Sequence, residues 1–280
     1  MGEILDGRFI SNKRKEKILA EVKTLIKKDR SPKLAVLLIG DNPSSKSYVN
    51  MLLKQFSKVL IETELIQYDV EVEEQIVLDK INELNNDSNI DGILVQTPLP
   101  KHLDKEKIIQ LINYKKDVDG FHLYNSGRLY SGDKNAFIPC TANSIITILD
   151  EYKIPVEGKN VVVIGRSNIV GKPVGLLLLS KNATVTFAHS KTNNLNELTK
   201  TADILVVAVG RAKMIKKDMI KENAIVIDAG INLYNNSIVG DVDTDDVIDK
   251  CSFITPVPGG VGPVTVVKLM ENTIKAYKDN

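Results

Sequence analysis

The chain has 280 residues, with 37 Lys and Arg against 36 Asp and Glu and a formal charge of +1. At roughly 100–200 residues per domain, this is one large or two modest domains, with core enough to need no disulfide or metal staple. The balanced charge gives no support to nucleic acid or an anionic membrane as the main partner. No stretch approaches the roughly 20 apolar residues of a membrane span. The two cysteines, Cys140 and Cys251, cannot build a disulfide framework or a four-thiolate zinc site. The opening MGEILDGRFISNKRKEK has no apolar core behind its charges, so no secretory signal is read there. A soluble, cytoplasmic protein is expected.

Residues 12–28 carry Ile18, Leu19, Val22 and Ile26 at helical spacing. Residues 33–40, KLAVLLIG, are a continuous apolar run ending in glycine, as in a strand buried on both faces. A helix over 44–60 begins in a Ser-rich cap region at Ser44, Ser45 and Ser47. A helix near 73–85 precedes a second buried strand at 90–95, which Gln96-Thr97-Pro98-Leu99-Pro100 ends. A helix near 105–113 leads to a turn-rich stretch at 126–135. Helices near 142–152, 170–181 and 194–201 alternate with short strands at 160–164, 183–187, 203–209 and 223–228. Prolines and glycines break the pattern at 255–263, before a last helix at 263–278. Strands alternating with helices predict an α/β fold with a mostly parallel sheet. A domain boundary is expected near 140–155; by periodicity alone the last helix fits either domain.

Gly165-Arg166-Ser167-Asn168-Ile169-Val170-Gly171 follows a strand and precedes a helix. There a dinucleotide pyrophosphate docks, because glycine admits the phosphate to the backbone and the helix N-terminus offers N–H groups. The spacing is G-x-S-x-x-x-G rather than G-x-G-x-x-G, and a tight structural turn needs glycine too. The next strand ends in Ala188-His189-Ser190-Lys191-Thr192, without the acid that bonds the ribose of NAD. Ser190, Lys191 and Arg166 suit a 2′-phosphate, so NADP is expected ahead of NAD; the alternative is solvated loop residues.

In the first half, Tyr48 follows the first strand and Gln96 ends the second, and ligands in parallel sheets bind outside the carboxyl ends of strands. Asp119 sits in the polar cluster Asp117-Val118-Asp119-Gly120-Phe121. Taken singly, Tyr48 also fits an amphipathic helix face, Gln96 a turn cap and Asp119 an Asx turn. The loop from Thr255 to Thr265, TPVPGGVGPVT, reads as a rigid wall for a flat substrate or as a stiff crossover. His102, His122 and His189 lack ligand spacing, so no metal site is expected.

Together these residues resemble the methylenetetrahydrofolate dehydrogenase/methenyltetrahydrofolate cyclohydrolase family. The resemblance rests on Gly40–Pro43 with Ser47–Val49, Gly92–Pro100, Lys116–Phe121, Gly165–Ser167 with Val170–Pro173, and Pro256–Thr265. It implies two α/β domains with a cleft between them: residues 1–140 with the last helix (about 264–280) for folate, and a Rossmann-like domain, 141–263, for NAD(P). It implies a homodimer through the cofactor domain. It also implies oxidation of methylenetetrahydrofolate to the methenyl cation, then hydrolysis to formyltetrahydrofolate. Carried over by motif, Tyr48 stacks on or bonds near the folate, Gln96 tunes the catalytic group and Asp119 binds the pterin. Pro258, Gly259, Gly260 and Pro263 line the folate pocket. Gly165, Arg166, Ser167 and Ser190 hold the cofactor phosphates, with Gly210 and Ile231 near its nicotinamide half.

The chain departs from that family at one chemically decisive position. The family has Lys four residues after the Tyr, as the acid/base or electrostatic group for cyclohydrolysis; here it is Leu52. Lys54 lies about 200° further around the helix and should face away. The family's Pro and Gly are also replaced by Ala142 and Ser144, at the expected hinge. A working dehydrogenase with weak or lost cyclohydrolase is expected. Other readings are an NADP oxidoreductase acting on a small hydroxy or keto acid, and a folate or nucleotide binder without chemistry.

Overall fold

The computed structural model describes residues 2–279. In chain order, β1 (Glu3–Ile4) leads to α1 (Gly7–Lys28), β2 (Lys33–Ile39), α2 (Pro43–Lys58), β3 (Glu62–Tyr68), α3 (Glu74–Asn86) and β4 (Gly92–Val95). Three helices follow, α4 (Lys105–Leu111), α5 (Leu123–Tyr130) and α6 (Cys140–Glu151). Next come β5 (Asn160–Ile164), α7 (Gly171–Ser180), β6 (Thr184–Ala188), α8 (Leu195–Thr199), β7 (Ile204–Val207) and β8 (Ala224–Asp228). A hairpin, β9 (Asn232–Tyr234) and β10 (Ser237–Val239), precedes α9 (Thr244–Val247), β11 (Cys251–Ile254) and α10 (Val261–Asp279).

The chain divides into two compact units. One comprises Lys13–Ile138 and residues 266–279, built on a three-stranded sheet in the order β3-β2-β4. Strand β2 pairs in parallel with both neighbours, Leu34 opposite Thr63 and Gly92. Successive residues of β2 from Leu34 to Ile39 are buried, so both of its faces are covered, which is why its sequence is an unbroken apolar run. On one face Ala35, Leu37 and Ile39 pack with Val77, Ile81 and Leu84 of α3 and with Ile93 and Val95. Helix α2 buries Ser45, Val49, Leu52 and Phe56, spaced three and four apart. Its cap is Asn42, whose Oδ1 accepts the Ser45 N–H at 3.0 Å, with Pro43 opening the first turn. The Ser-rich cap expected at 44–47 thus lies inside the helix. The edge strand β3, with exposed and half-buried positions mixed, has no such apolar run and carries no local signal.

The second unit comprises residues 2–12 and Pro139–Thr265, around a sheet in the order β1-β11-β8-β7-β5-β6 with every pair parallel. Alternate residues of β5 face opposite cores. Val161 and Val163 pack with Ile145, Ile148, Val174 and Leu178, while Val162 and Ile164 pack with Ala202, Ile215 and Ile220. Ala142 and Ser144, at the expected hinge, are buried within α6, and Ser144 Oγ donates to Cys140 O at 2.7 Å.

Residues 2–12 differ from the 1–140 expectation by grouping with this second unit. Strand β1 adds to β11, and the Leu5 and Gly7 N–H groups donate to Ile254 O and Gly259 O at 2.8 and 2.9 Å. A Cβ on Gly7 would lie 1.8 Å from Gly260 O, so only glycine permits that approach.

In the three-stranded unit the Asp91 carboxylate is fully buried and takes a two-pronged bond from Arg30, both at 2.8 Å, plus the Lys33 N–H at 2.7 Å. Asp91→Ala leaves those donors unanswered at the start of β2. Denaturant titration is expected to show a loss of about 2–4 kcal/mol; an unshifted midpoint would count against this anchoring role.

Candidate functional site

Apart from β1 at the far edge, the chain lays down β5, then β6 on one side and β7 on the other, so the direction of sheet growth reverses between β5 and β7. Such a reversal leaves a crevice at the carboxyl ends of the two strands, where ligands of parallel sheets bind. Gly165 leaves β5 there with φ 130°. A Cβ on it would stand 2.4 Å from Ala208 O in the loop after β7, so the two loops abut. A Cβ on Gly171 would stand 2.3 Å from Gly165 O, so this glycine lets α7 start close against the turn. Ser167 Oγ accepts the Val170 and Gly171 N–H groups at 3.2 and 3.3 Å, which fixes the turn. Arg166 and Ser167 are exposed at its surface, ahead of the ten-residue helix α7. The turn thus sets a cationic and a hydroxyl side chain at the N-terminus of a helix, the kind of place that binds anions.

After β6, His189 N–H donates to Thr192 Oγ1 at 2.9 Å and Lys191 N–H to His189 Nδ1 at 3.2 Å. This turn presents Ser190 and Lys191 to solvent without a carboxylate. Gly210 lies in the loop after β7 and Ile231, 69% exposed, after β8, so both join the same strand-end rim. Two carboxylates that local sequence patterns do not single out support this rim. Asp228 ends β8 fully buried and accepts the Gly230, Asp241 and Val242 N–H groups at 2.9, 3.1 and 2.8 Å. Asp241, also fully buried, holds the loop after β7.

The Pro256–Pro263 loop belongs to the same unit. The Gly260 N–H donates back to Pro256 O at 2.7 Å, and Gly259 takes φ 119°. Pro258 is exposed, Gly259 and Gly260 are buried, and Pro263 lies in the first turn of α10. The guanidinium of Arg8, which the motifs did not flag, lies 3.3 Å from where a Gly259 Cβ would be.

Tyr48, Leu52, Gln96 and Asp119 fall in the other unit. Its sheet also reverses at its first strand, between β2 and β4. The loop after β2 leads into α2 with Tyr48, and Gln96 follows β4. The Gln96 N–H donates to Leu37 O at 2.9 Å and its Nε2 to Thr97 O at 2.7 Å. Tyr48 is half-buried on α2, Leu52 one turn along is fully buried, and Lys54 is exposed. Asp119 is half-buried in a loop shaped by Asp117. The Asp117 carboxylate accepts the Gly120, Phe121 and His122 N–H groups at 3.1, 3.1 and 2.9 Å and Asn125 Nδ2 at 2.8 Å. Burial pushes this carboxyl above its usual range, against the pull of those donors. Asn125 belongs to α5, whose later residues fall in the 126–135 stretch read as turn-rich.

With this geometry in view, known proteins give a consistent comparison. Residues 5–119 match the catalytic-domain model, and residues 139–280 the NAD(P)-binding-domain model, of tetrahydrofolate dehydrogenase/cyclohydrolase. The chain is 51% identical over 279 residues to a bifunctional protein FolD of Listeria innocua, covering 99% of this chain and 98% of that protein. It is similar to the crystal structure of the bifunctional methylenetetrahydrofolate dehydrogenase/cyclohydrolase FolD of Campylobacter jejuni, with a TM-score of 0.98, 43% identity and coverage of 100% and 99%. The Trypanosoma brucei dehydrogenase-cyclohydrolase, complexed with NADP and inhibitor, gives a TM-score of 0.96 at 32% identity, covering 99% and 98%.

Burial raises the Asp228 carboxyl from 3.8 to about 6. The folded state therefore holds this proton more tightly than the unfolded chain does. The stabilisation is complete below about pH 4 and is lost as pH rises through about 6. Asp228→Asn cannot ionise. The unfolding free energy of wild type minus that of D228N is expected to fall by about 2–3 kcal/mol between pH 4 and pH 7. Denaturant midpoints across that range measure it, and a pH-independent difference would contradict it.

Proposed function

The chain belongs to the tetrahydrofolate dehydrogenase/cyclohydrolase family, and from that premise we propose that it is an NADP-dependent methylenetetrahydrofolate dehydrogenase with little cyclohydrolase activity. The turn at Gly165 and Gly171 carries the cofactor half of the reading, because its glycines let α7 start close against the end of β5, with Arg166 and Ser167 exposed at that helix N-terminus. Bound NADP supplies the hydride acceptor. Arg166, Ser167 and Ser190 hold its phosphates, and the absence of an acid after β6 favours the 2′-phosphate of NADP. Gly210 and Ile231 border its nicotinamide half.

On the substrate side, Asp119 binds the pterin, Tyr48 stacks on it or bonds near it, and Gln96 tunes the electrostatics of the reacting centre. The Pro258–Pro263 loop lines the folate. The hydride leaves the carbon bridging two folate nitrogens and no proton leaves the substrate, so this step needs alignment above all. Hydrolysis of the methenyl product needs water activated and a nitrogen protonated. Leu52 supplies neither, and general acid–base help is typically worth about 10²–10⁴-fold.

The experiment supplies purified protein with methylenetetrahydrofolate and either NADP or NAD, and follows reduced cofactor and methenyl product separately. Reduced NADP with accumulating methenyl product is expected. Methenyl product that never rises above its spontaneous decay would show that another group has taken over hydrolysis. Leu52→Lys is expected to raise methenyl hydrolysis at least tenfold and leave dehydrogenase kcat within about threefold.

We further propose a cytoplasmic homodimer. The two reduced, buried cysteines suit a reducing compartment. Strand β6 is a free sheet edge carrying Phe187, 42% exposed, beside Leu179 of α7, 58% exposed, and such an edge calls for cover. Light scattering is expected to report a dimer for wild type and a monomer for Phe187→Asp; a monomeric wild type would count against the assembly.

A further inference from the structure

The loop after β7 is shaped by a buried anion. Asp241 Oδ2 accepts the Val209 and Gly210 N–H groups at 2.6 and 3.0 Å, and Oδ1 accepts the Arg211 N–H at 2.7 Å and Asn232 Nδ2 at 2.9 Å. Three successive backbone N–H groups converging on one site form a nest, a concavity that binds anions. Gly210, at φ 65°, supplies the left-handed residue such a nest uses. Here the anion is internal and fully buried.

The surroundings fix that carboxylate in turn. The Asp241 and Val242 N–H groups donate to Asp228 at the end of β8, at 3.1 and 2.8 Å. A Cβ on Gly230 would come within 2.2 Å of the Asp241 carboxyl carbon, so the backbone closes over it. The loop it shapes borders the reversal point of the sheet, because Ala208 O abuts Gly165.

We propose that Asp241 is a positioning residue for the dinucleotide: it draws the Val209–Arg211 N–H groups inward, so this loop receives the hydroxyl-bearing nicotinamide ribose rather than a phosphate. The inference rests on the cofactor reading above. A turn whose donors are spent on a buried carboxylate offers a phosphate nothing and presents negative charge beneath it. The phosphates are thereby left to the turn at Gly165–Ser167, one strand away. The nest and that turn set the register of the cofactor along the strand ends.

The test is calorimetric titration of NADP into wild type, Asp241→Ala and Asn232→Ala, without substrate turnover. D241A empties the nest, and its Kd for NADP is expected to rise at least tenfold while its Kd for a folate analogue stays within twofold. Added formate, a carboxylate small enough for the vacated position, is expected to recover part of the NADP affinity of D241A and leave wild type unchanged. N232A removes a single donor to the same carboxylate and is expected to raise the Kd for NADP two- to fivefold at an unchanged thermal midpoint. Wild-type affinity for NADP in a folded D241A overturns the proposal. If D241A does not fold, N232A decides it, and an unchanged Kd there overturns it. Failure of wild type to bind NADP at all would instead sink the cofactor reading, and this proposal with it.

Discussion

Both units depend on one constraint: each sheet has a strand flanked on both sides by strands that come later in the chain. Strand β2 lies between β3 and β4, and β5 between β6 and β7. The connections leaving those central strands must diverge, and the loops that part company leave open backbone at the strand ends. A parallel sheet covered on both faces has nowhere else to place a polar ligand. The candidate site residues, from Tyr48 and Gln96 in one unit to Gly165 and Gly210 in the other, lie on elements that meet those strand ends.

Loops at such ends need support from beneath, and the chain supplies it with buried carboxylates. Asp117, Asp228 and Asp241 are almost fully enclosed, and each gathers several backbone N–H groups from a loop that carries site residues. A carboxylate has two acceptor oxygens and no donor, so it collects amides from several directions at once. Burial also disfavours the charge of Asp117 and Asp228, whose carboxyls are pushed upward for that reason.

Position 52 is where the proposed function parts two kinds of chemistry that share a substrate. Leu52 joins Val49 and Phe56 on the buried face of α2, where it completes packing and carries no charge. The demand of hydride transfer is geometric. That of hydrolysis is for a proton and a poised charge. The proposed split between the two activities rests on that difference in demand.

The sequence by itself determined the central strands, the longer helices and the glycine turn. Each is written in local signals: an apolar run such as KLAVLLIG, a helical period, or a glycine between strand and helix. It did not reveal β3, whose mixed edge positions lack an apolar run, nor α5, most of which falls in the 126–135 stretch that reads as turn-rich. Only the tertiary structure attached residues 2–12 to the far end of the chain, through pairing of β1 with β11. Only it gave Asp241 a purpose, since the amides it holds lie some thirty residues upstream. The physical reason is the same in each case. Periodicity records which face of an element meets the core, whereas pairing and hydrogen bonding across long stretches of chain depend on which elements become neighbours, and no local pattern encodes that.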